Sequence, residues 1–195
     1  METQIPRRSS WLRVLPPALV VEVRKRRGVI LAGARGRTLD LDSPGALERL
    51  LSAATAATIR ADDCFDTIIS TCRLIDVADL GAATRAMARL LSIDGELHLV
   101  EPVNHVGPMG MVLSSVGSRL PRASGLHISR DVVGAVRATG LSVADVDRFI
   151  AQTWIWPLRP LVQIRAVRVA SANDRTSVGA GGSLAAKITE EKESS

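Results

Sequence analysis

With 195 residues, 46% of them hydrophobic, the chain carries enough apolar surface for one substantial core, which excludes an intrinsically disordered protein. The net charge of +5 is unevenly spread, because Arg7, Arg8, Arg13, Arg24, Lys25, Arg26, Arg27, Arg35 and Arg37 face only Glu2 and Glu22 in the same stretch. Tyr is absent and Phe and Trp are few, so a basic surface here lacks the aromatic platform on which nucleic-acid binders stack bases.

Residues 1–10 and 170–195 are rich in Ser, Gly, Ala and charge without a hydrophobic period, and read as disordered tails around a single folded region, 11–169. The first apolar stretch, 15–23, contains two prolines and Glu22 and falls short of the roughly 20 residues that span a bilayer. Arg7 and Arg8 are not followed by the unbroken apolar run of a signal peptide, so a cytoplasmic protein is expected. Pro16 and Pro17 suit the first turn of a helix running to about Arg27, with Leu19, Val20 and Val23 on one face and Arg24 to Arg27 on the other. Gly28, Gly33 and Gly36 are expected to break it. The charged face reads as solvated, with contact to phosphates or anionic lipid as the alternative.

Beyond this helix, short apolar runs alternate with helical segments, the pattern of a parallel sheet with helices on both faces. Strands are expected at 37–41, 65–70, 96–101, 141–149 and 161–169, and helices at 46–56, 80–91 and 129–139. Asp79 and Ser129 suit helix amino-terminal caps, and Gly140 suits a stop. Cys64 and Cys72 are expected to be reduced, partly buried thiols, since Cys72 follows a buried strand. No His, Cys, Asp or Glu set has metal-ligand spacing, and neither a Gly-x-Ser-x-Gly elbow nor a phosphate loop is present.

Several segments, taken in order, resemble the class I S-adenosylmethionine-dependent methyltransferases that act on small molecules. Cys64-Phe65-Asp66-Thr67-Ile68-Ile69-Ser70-Thr71 is similar to that family's fourth strand, with its aromatic–Asp opening and small polar end. Met87 to Leu97, with Ile93-Asp94-Gly95 in place of Pro-Gly-Gly, resembles the passage from helix to fifth strand, and Leu97 to His105 resembles that strand and the loop after it. Gly125-Leu126-His127-Ile128-Ser129-Arg130-Asp131, the run to Gly140, and Asp147-Arg148-Phe149 resemble the following helix and sixth strand. Gly36 to Leu47 resembles the first strand and glycine-rich turn, with Asp42 at the first glycine's place and Gly45 retained.

The resemblance implies an α/β, mostly parallel Rossmann-like sheet of about five strands with helices on both faces. The family's strand order is 3-2-1-4-5-7-6, and the single helix that fits between Gly45 and Phe65 leaves no room for strands 2 and 3, so order 1-4-5-7-6 is expected. The acidic contacts to the cofactor's ribose and adenine go with those strands, with Asp62 or Asp63 as the residue that could reach an adenine edge instead. Strand 37–41 then becomes an open edge, to be covered by a second protomer, a partner chain or the amino-terminal helix.

The implied cofactor is S-adenosylmethionine, and the matching positions are Asp40, Leu41, Asp42, Gly45, Asp63, Ser70 and Thr71. Glu101, His105 and His127 are the candidates for acid–base work beside a small, rather apolar acceptor, His105 as the base. The segment 106–120 reads as an apolar flap over the acceptor, with Trp154 and Trp156 as an opposite wall or as packing. Two functions are expected to compete: an active methyltransferase, and a catalytically inactive protein of that fold serving as a partner or regulatory subunit.

Overall fold

The computed structural model describes residues 17–103, 130–151 and 160–169. Helix α1 spans Pro17–Gly33. It passes straight through Gly28, where a break was expected, because Leu19, Val23 and Ile30 form one buried stripe whose packing outweighs the roughly 1 kcal/mol propensity cost of a helical glycine. The remaining elements are β1 (Thr38–Asp40), α2 (Ala46–Thr55), β2 (Phe65–Thr71), α3 (Leu80–Leu90), β3 (Leu91–Pro102), α4 (Val132–Arg137), β4 (Ser142–Ile150) and β5 (Pro160–Val167).

The five strands form one sheet in the order β1-β2-β3-β5-β4. In chain-order labels this is the expected 1-4-5-7-6 arrangement. β1, β2 and β3 are parallel, and β5 runs antiparallel to both β3 and β4, so four strands point one way and one the other. α2, α3 and α4 cover one face, over Leu39, Ile68, Leu97, Leu99, Val162 and Ile164. α1 covers the other, against Ile69, Val100 and Leu161. Between β1 and β2 the chain makes only α2 and a 3-10 turn, Ala61–Asp63.

Two further elements differ from expectation. β3 starts at Leu91, ahead of the anticipated 96, because the Ile93–Gly95 turn is itself tied into the sheet: Asp94, with φ 63°, donates its N–H to the Arg168 carbonyl at 2.9 Å, and the Arg168 N–H returns to the Gly95 carbonyl at 3.1 Å. α4 is shorter than 129–139 and its cap is Asp131, whose carboxylate accepts from the Gly134 N–H at 2.8 Å. Ser129 lies outside the described residues. Asp79 caps α3 as expected, accepting from the Ala82 N–H at 2.8 Å, and Gly140 carries the left-handed φ of 82° that suits a residue just past a helix.

α1 lies across the sheet's face and does not pair with its edge. β1 pairs only with β2 among the described residues. Cys64 is half-buried and Cys72 buried, both as free thiols.

Candidate functional site

Parallel strands deliver their carboxyl ends to one edge, and that edge is where open α/β sheets bind ligands. β1 brings Asp40, Leu41 and Asp42 there, β2 brings Ser70 and Thr71, and β3 brings Glu101. Gly45 follows at the start of α2 with φ 76°, and a Cβ there would meet nothing within 4 Å. This is the one position of the glycine turn that still needs a glycine's conformational freedom. Asp63 is not part of the group. It precedes β2, so the strand's full length, about 20 Å at 3.3 Å per residue, separates it from Thr71. His105 and His127 fall outside the described residues.

Two sets of bonds organise the edge. On the α1 face, Asp42 accepts from the Thr71 hydroxyl and sits 3.1 Å from Arg27 Nε, while a second Arg27 nitrogen pairs with Asp40. The Asp42 N–H donates to the Asp40 carboxylate at 3.1 Å, and Arg73 stands 3.9 Å from the second Asp42 oxygen. Burial pushes the Asp42 carboxyl above the usual range and Asp40 adds to this; the Thr71 hydrogen bond, Arg27 and Arg73 oppose it.

On the α2–α3 face, one Glu101 oxygen accepts three hydrogen bonds, from the Ser70 hydroxyl at 2.6 Å and from the Arg73 and Leu74 N–H groups at 3.1 and 3.3 Å. Its other oxygen is buried without a partner among the described residues. Burial raises this carboxyl to about 8 despite those three bonds. Arg73 links the two sets, donating from its side chain to the Leu41 carbonyl at 3.2 Å and to Asp76 at 3.0 Å.

Most polar groups of this arrangement bond to one another, and Arg27 Nε, one Asp42 oxygen and one Glu101 oxygen are buried without a hydrogen-bond partner among the described residues. Ser70 and Thr71 are 0% and 1% exposed, and the Asp40 and Asp42 carboxylates at the tip of β1 are engaged by Arg27 and Thr71. The sheet also lacks a reversal between β1 and β2, since α2 and α3 step in the same direction on the same face; the crevice that such a reversal opens is missing from this edge.

The open space lies beside β1 and takes in Asp40 and Gly45 of this group. A groove of about 460 Å³ follows the free side of β1, lined by Thr38, Asp40, Ser43, Gly45, Arg49 and Phe65, and a neighbouring one of about 220 Å³ includes Arg37, Ile59 and Asp63. Arg37 and Arg49 both stack over the Phe65 ring, at 5.3 and 5.8 Å.

Arg27 and Arg73 are the site residues that sequence reasoning missed. Arg27 is one of nine cations in the amino-terminal stretch, and only the path of α1 over the sheet brings it to Asp40 and Asp42.

No family model matches the chain, and no curated protein matches its sequence. Solved structures with a similar fold include a S-adenosylmethionine-dependent methyltransferase from Methanosarcina mazei, 14% identical with a TM-score of 0.45 over 61% of this chain and 65% of that one. The N-methyltransferase NodS from Bradyrhizobium japonicum, in complex with S-adenosyl-L-homocysteine, is 16% identical with a TM-score of 0.42 over 67% of this chain and 65% of its own. The [4+2]-cyclase SpnF is 16% identical, TM-score 0.46, over 61% of this chain and 54% of its own. The chain thus spans less than two thirds of each of these three, and the likeness is one of fold.

Proposed function

We propose that this chain is a S-adenosylmethionine-dependent methyltransferase-like protein, its folded unit being residues 11–169 and its setting the cytoplasm. The observation that carries the reading is the sheet: three parallel strands extended by an antiparallel strand inserted ahead of its hairpin partner, β1-β2-β3-β5-β4. In this reading a small, rather apolar acceptor sits over the carboxyl edge, His105 takes its proton, and Glu101 and His127 assist.

One specific observation favours a second reading, a catalytically inactive protein of the same fold that works as a partner or regulatory subunit. Asp42 stands where the resembled family has its first glycine, and it is held there by Arg27 and Thr71. In that role the open side of β1, with its groove of about 460 Å³, is the surface that a second protomer or partner chain covers.

Thermal unfolding with S-adenosylmethionine and S-adenosylhomocysteine separates the two. A ligand at about 100 times its dissociation constant adds roughly 2.7 kcal/mol of stability. A shift of that order supports the active enzyme; no shift at millimolar cofactor rejects it for this chain. Asp42→Gly, which removes the carboxylate from the turn, is expected to raise cofactor affinity. A monomer by sedimentation whose Thr38 and Asp40 amides exchange freely would remove the covered-edge reading.

A further inference from the structure

We propose that two copies of this chain pair edge to edge through β1, antiparallel and centred on Leu39, so that their two five-stranded sheets become one. This dimer rests on the reading of β1's open side as a covered surface, and the second copy is what covers it.

The register follows from where the backbone groups of β1 point. Leu39 is the register partner of Ile68, the Arg37 carbonyl accepts the Thr67 N–H at 3.2 Å, and the Leu41 N–H donates to the Ile69 carbonyl at 2.9 Å. In a parallel ladder such bonds fall on alternate residues, so Arg37, Leu39 and Leu41 bond inward to β2, and Thr38 and Asp40 turn their N–H and C=O groups outward. A second copy of this edge engages both outward residues only when Thr38 lies opposite Asp40 of the other copy, which puts the two-fold axis at Leu39. The Asp40 carbonyl already accepts the Ser43 N–H at 2.9 Å and takes the new bond on its second lone pair. Charge sets the direction. Arg35 and Arg37 precede the strand, and Asp40 and Asp42, which share Arg27, end it. Parallel copies would stack like charges, whereas antiparallel copies set the basic end of each beside the acidic end of the other.

Helix α1 supplies an apolar contact at the same axis. Arg27 reaches Asp40 and Asp42 at one end of β1, and Arg35, just past the helix, bonds Thr67 beside Thr38 at the other. α1 therefore runs along β1 in the opposite direction. Four helical residues rise about 6 Å, the length of about two strand residues, so Leu31 stands level with Leu39. Because α1 packs on Ile69 and Val100, the side that carries Arg27 to β1 faces the open edge, and Leu31, four residues on, shares that side. Leu31 is 37% exposed there. Pairing about Leu39 brings it against its own copy and covers it. On the other face, the groove of about 460 Å³ beside β1 leaves room for the incoming strand.

Sedimentation equilibrium of the full chain from about 1 to 100 µM should show a monomer in equilibrium with a dimer. By NMR hydrogen exchange, protection of the Thr38 and Asp40 amides should rise with protein concentration, while that of Leu39, bonded inward, stays constant. Leu31→Glu and Leu31→Lys each set like charges across the axis and should raise the dissociation constant about tenfold or more. An equimolar mixture of the two should pair again, because position 31 meets only its own copy. Thr38→Pro removes an outward N–H, leaves the ladder to β2 intact and should weaken the dimer as much; if it does not fold, the Leu31 variants, at an exposed position, decide. A dimer that these changes leave intact, or a mixture that does not pair, would overturn the proposal and leave β1 to a different partner. A monomer whose Thr38 and Asp40 amides are protected would overturn it too, since the edge is then covered within the chain. A monomer at the highest concentration with both amides exchanging freely would overturn this dimer and the covered-edge reading together.

Discussion

Asp42 and Glu101 end neighbouring regions of the same sheet edge and have met burial in different ways. Asp42 lies on the α1 face with guanidinium groups on two sides, which offset part of the burial that still raises its carboxyl. Glu101 lies on the other face, where a hydroxyl and two backbone amides are its only partners among the described residues and no cation pairs with it. Three hydrogen bonds do not replace a counter-charge: burial wins at Glu101, and the proton stays on. The comparison separates two uses of an acid at a strand end, an ionic clasp in one case and a proton-bearing peg in the other.

The largest expected effect tests the peg. The folded-state value of Glu101 is raised from 4.5 to about 8, so its contribution to stability is full below pH 4.5 and is lost as pH rises to about 8. At about 1.4 kcal/mol per unit, the loss is on the order of 5 kcal/mol. Urea unfolding at pH 5 and pH 9 should show this fall in the wild type and little of it in Glu101→Gln, which becomes the more stable protein at pH 9. Equal slopes in the two proteins would erase the distinction between the two acids.

An intermediate effect tests the clasp. Arg27→Met leaves Asp40 and Asp42 facing each other without their shared cation and should destabilise by about 2 kcal/mol. That is below the about 3–5 of a fully buried pair, because the Arg27 side chain is 31% exposed. The loss should grow with pH as the Asp42 carboxyl ionises, and denaturant midpoints at pH 4 and 7 would reveal it.

The smallest is Thr71→Val, which keeps the shape and removes the hydroxyl that donates to Asp42. A cost of about 1 kcal/mol is expected, with Asp42 titrating higher than before. An unchanged Asp42 titration would mean that the cations alone hold the clasp.

Much of the frame was legible because it follows from period and direction. The apolar run around Ile68 and Ile69 and the alternation through Leu97 and Leu99 fix β2 and β3, and once strands are parallel their ends share an edge, which gathers Asp40, Asp42, Ser70, Thr71 and Glu101. The same logic separates Asp63 from them, since a residue just before β2 belongs to the opposite edge. What local pattern could not supply was α1's course. Its passage through Gly28 is decided by tertiary packing of Leu19, Val23 and Ile30, and the identity of Arg27 as a site residue depends on that course. Ser92 to Glu96, polar and turn-like, concealed the early start of β3, which exists because of a partner more than 70 residues away at Arg168.

The position of α1 also sets an order of events during synthesis. Arg26 bonds to Asp147 and Gln163 across 121 and 137 residues and stacks 3.6 Å over Phe149, while Leu19 and Val23 pack with Leu161. The part of α1's packing that involves β4 and β5 therefore forms only after those strands have been made. At roughly 5–20 residues per second, the stretch from Val100 to Leu161 takes several seconds to emerge, so the α1 face is completed by β5 only that long after Ile69 and Val100 are in place.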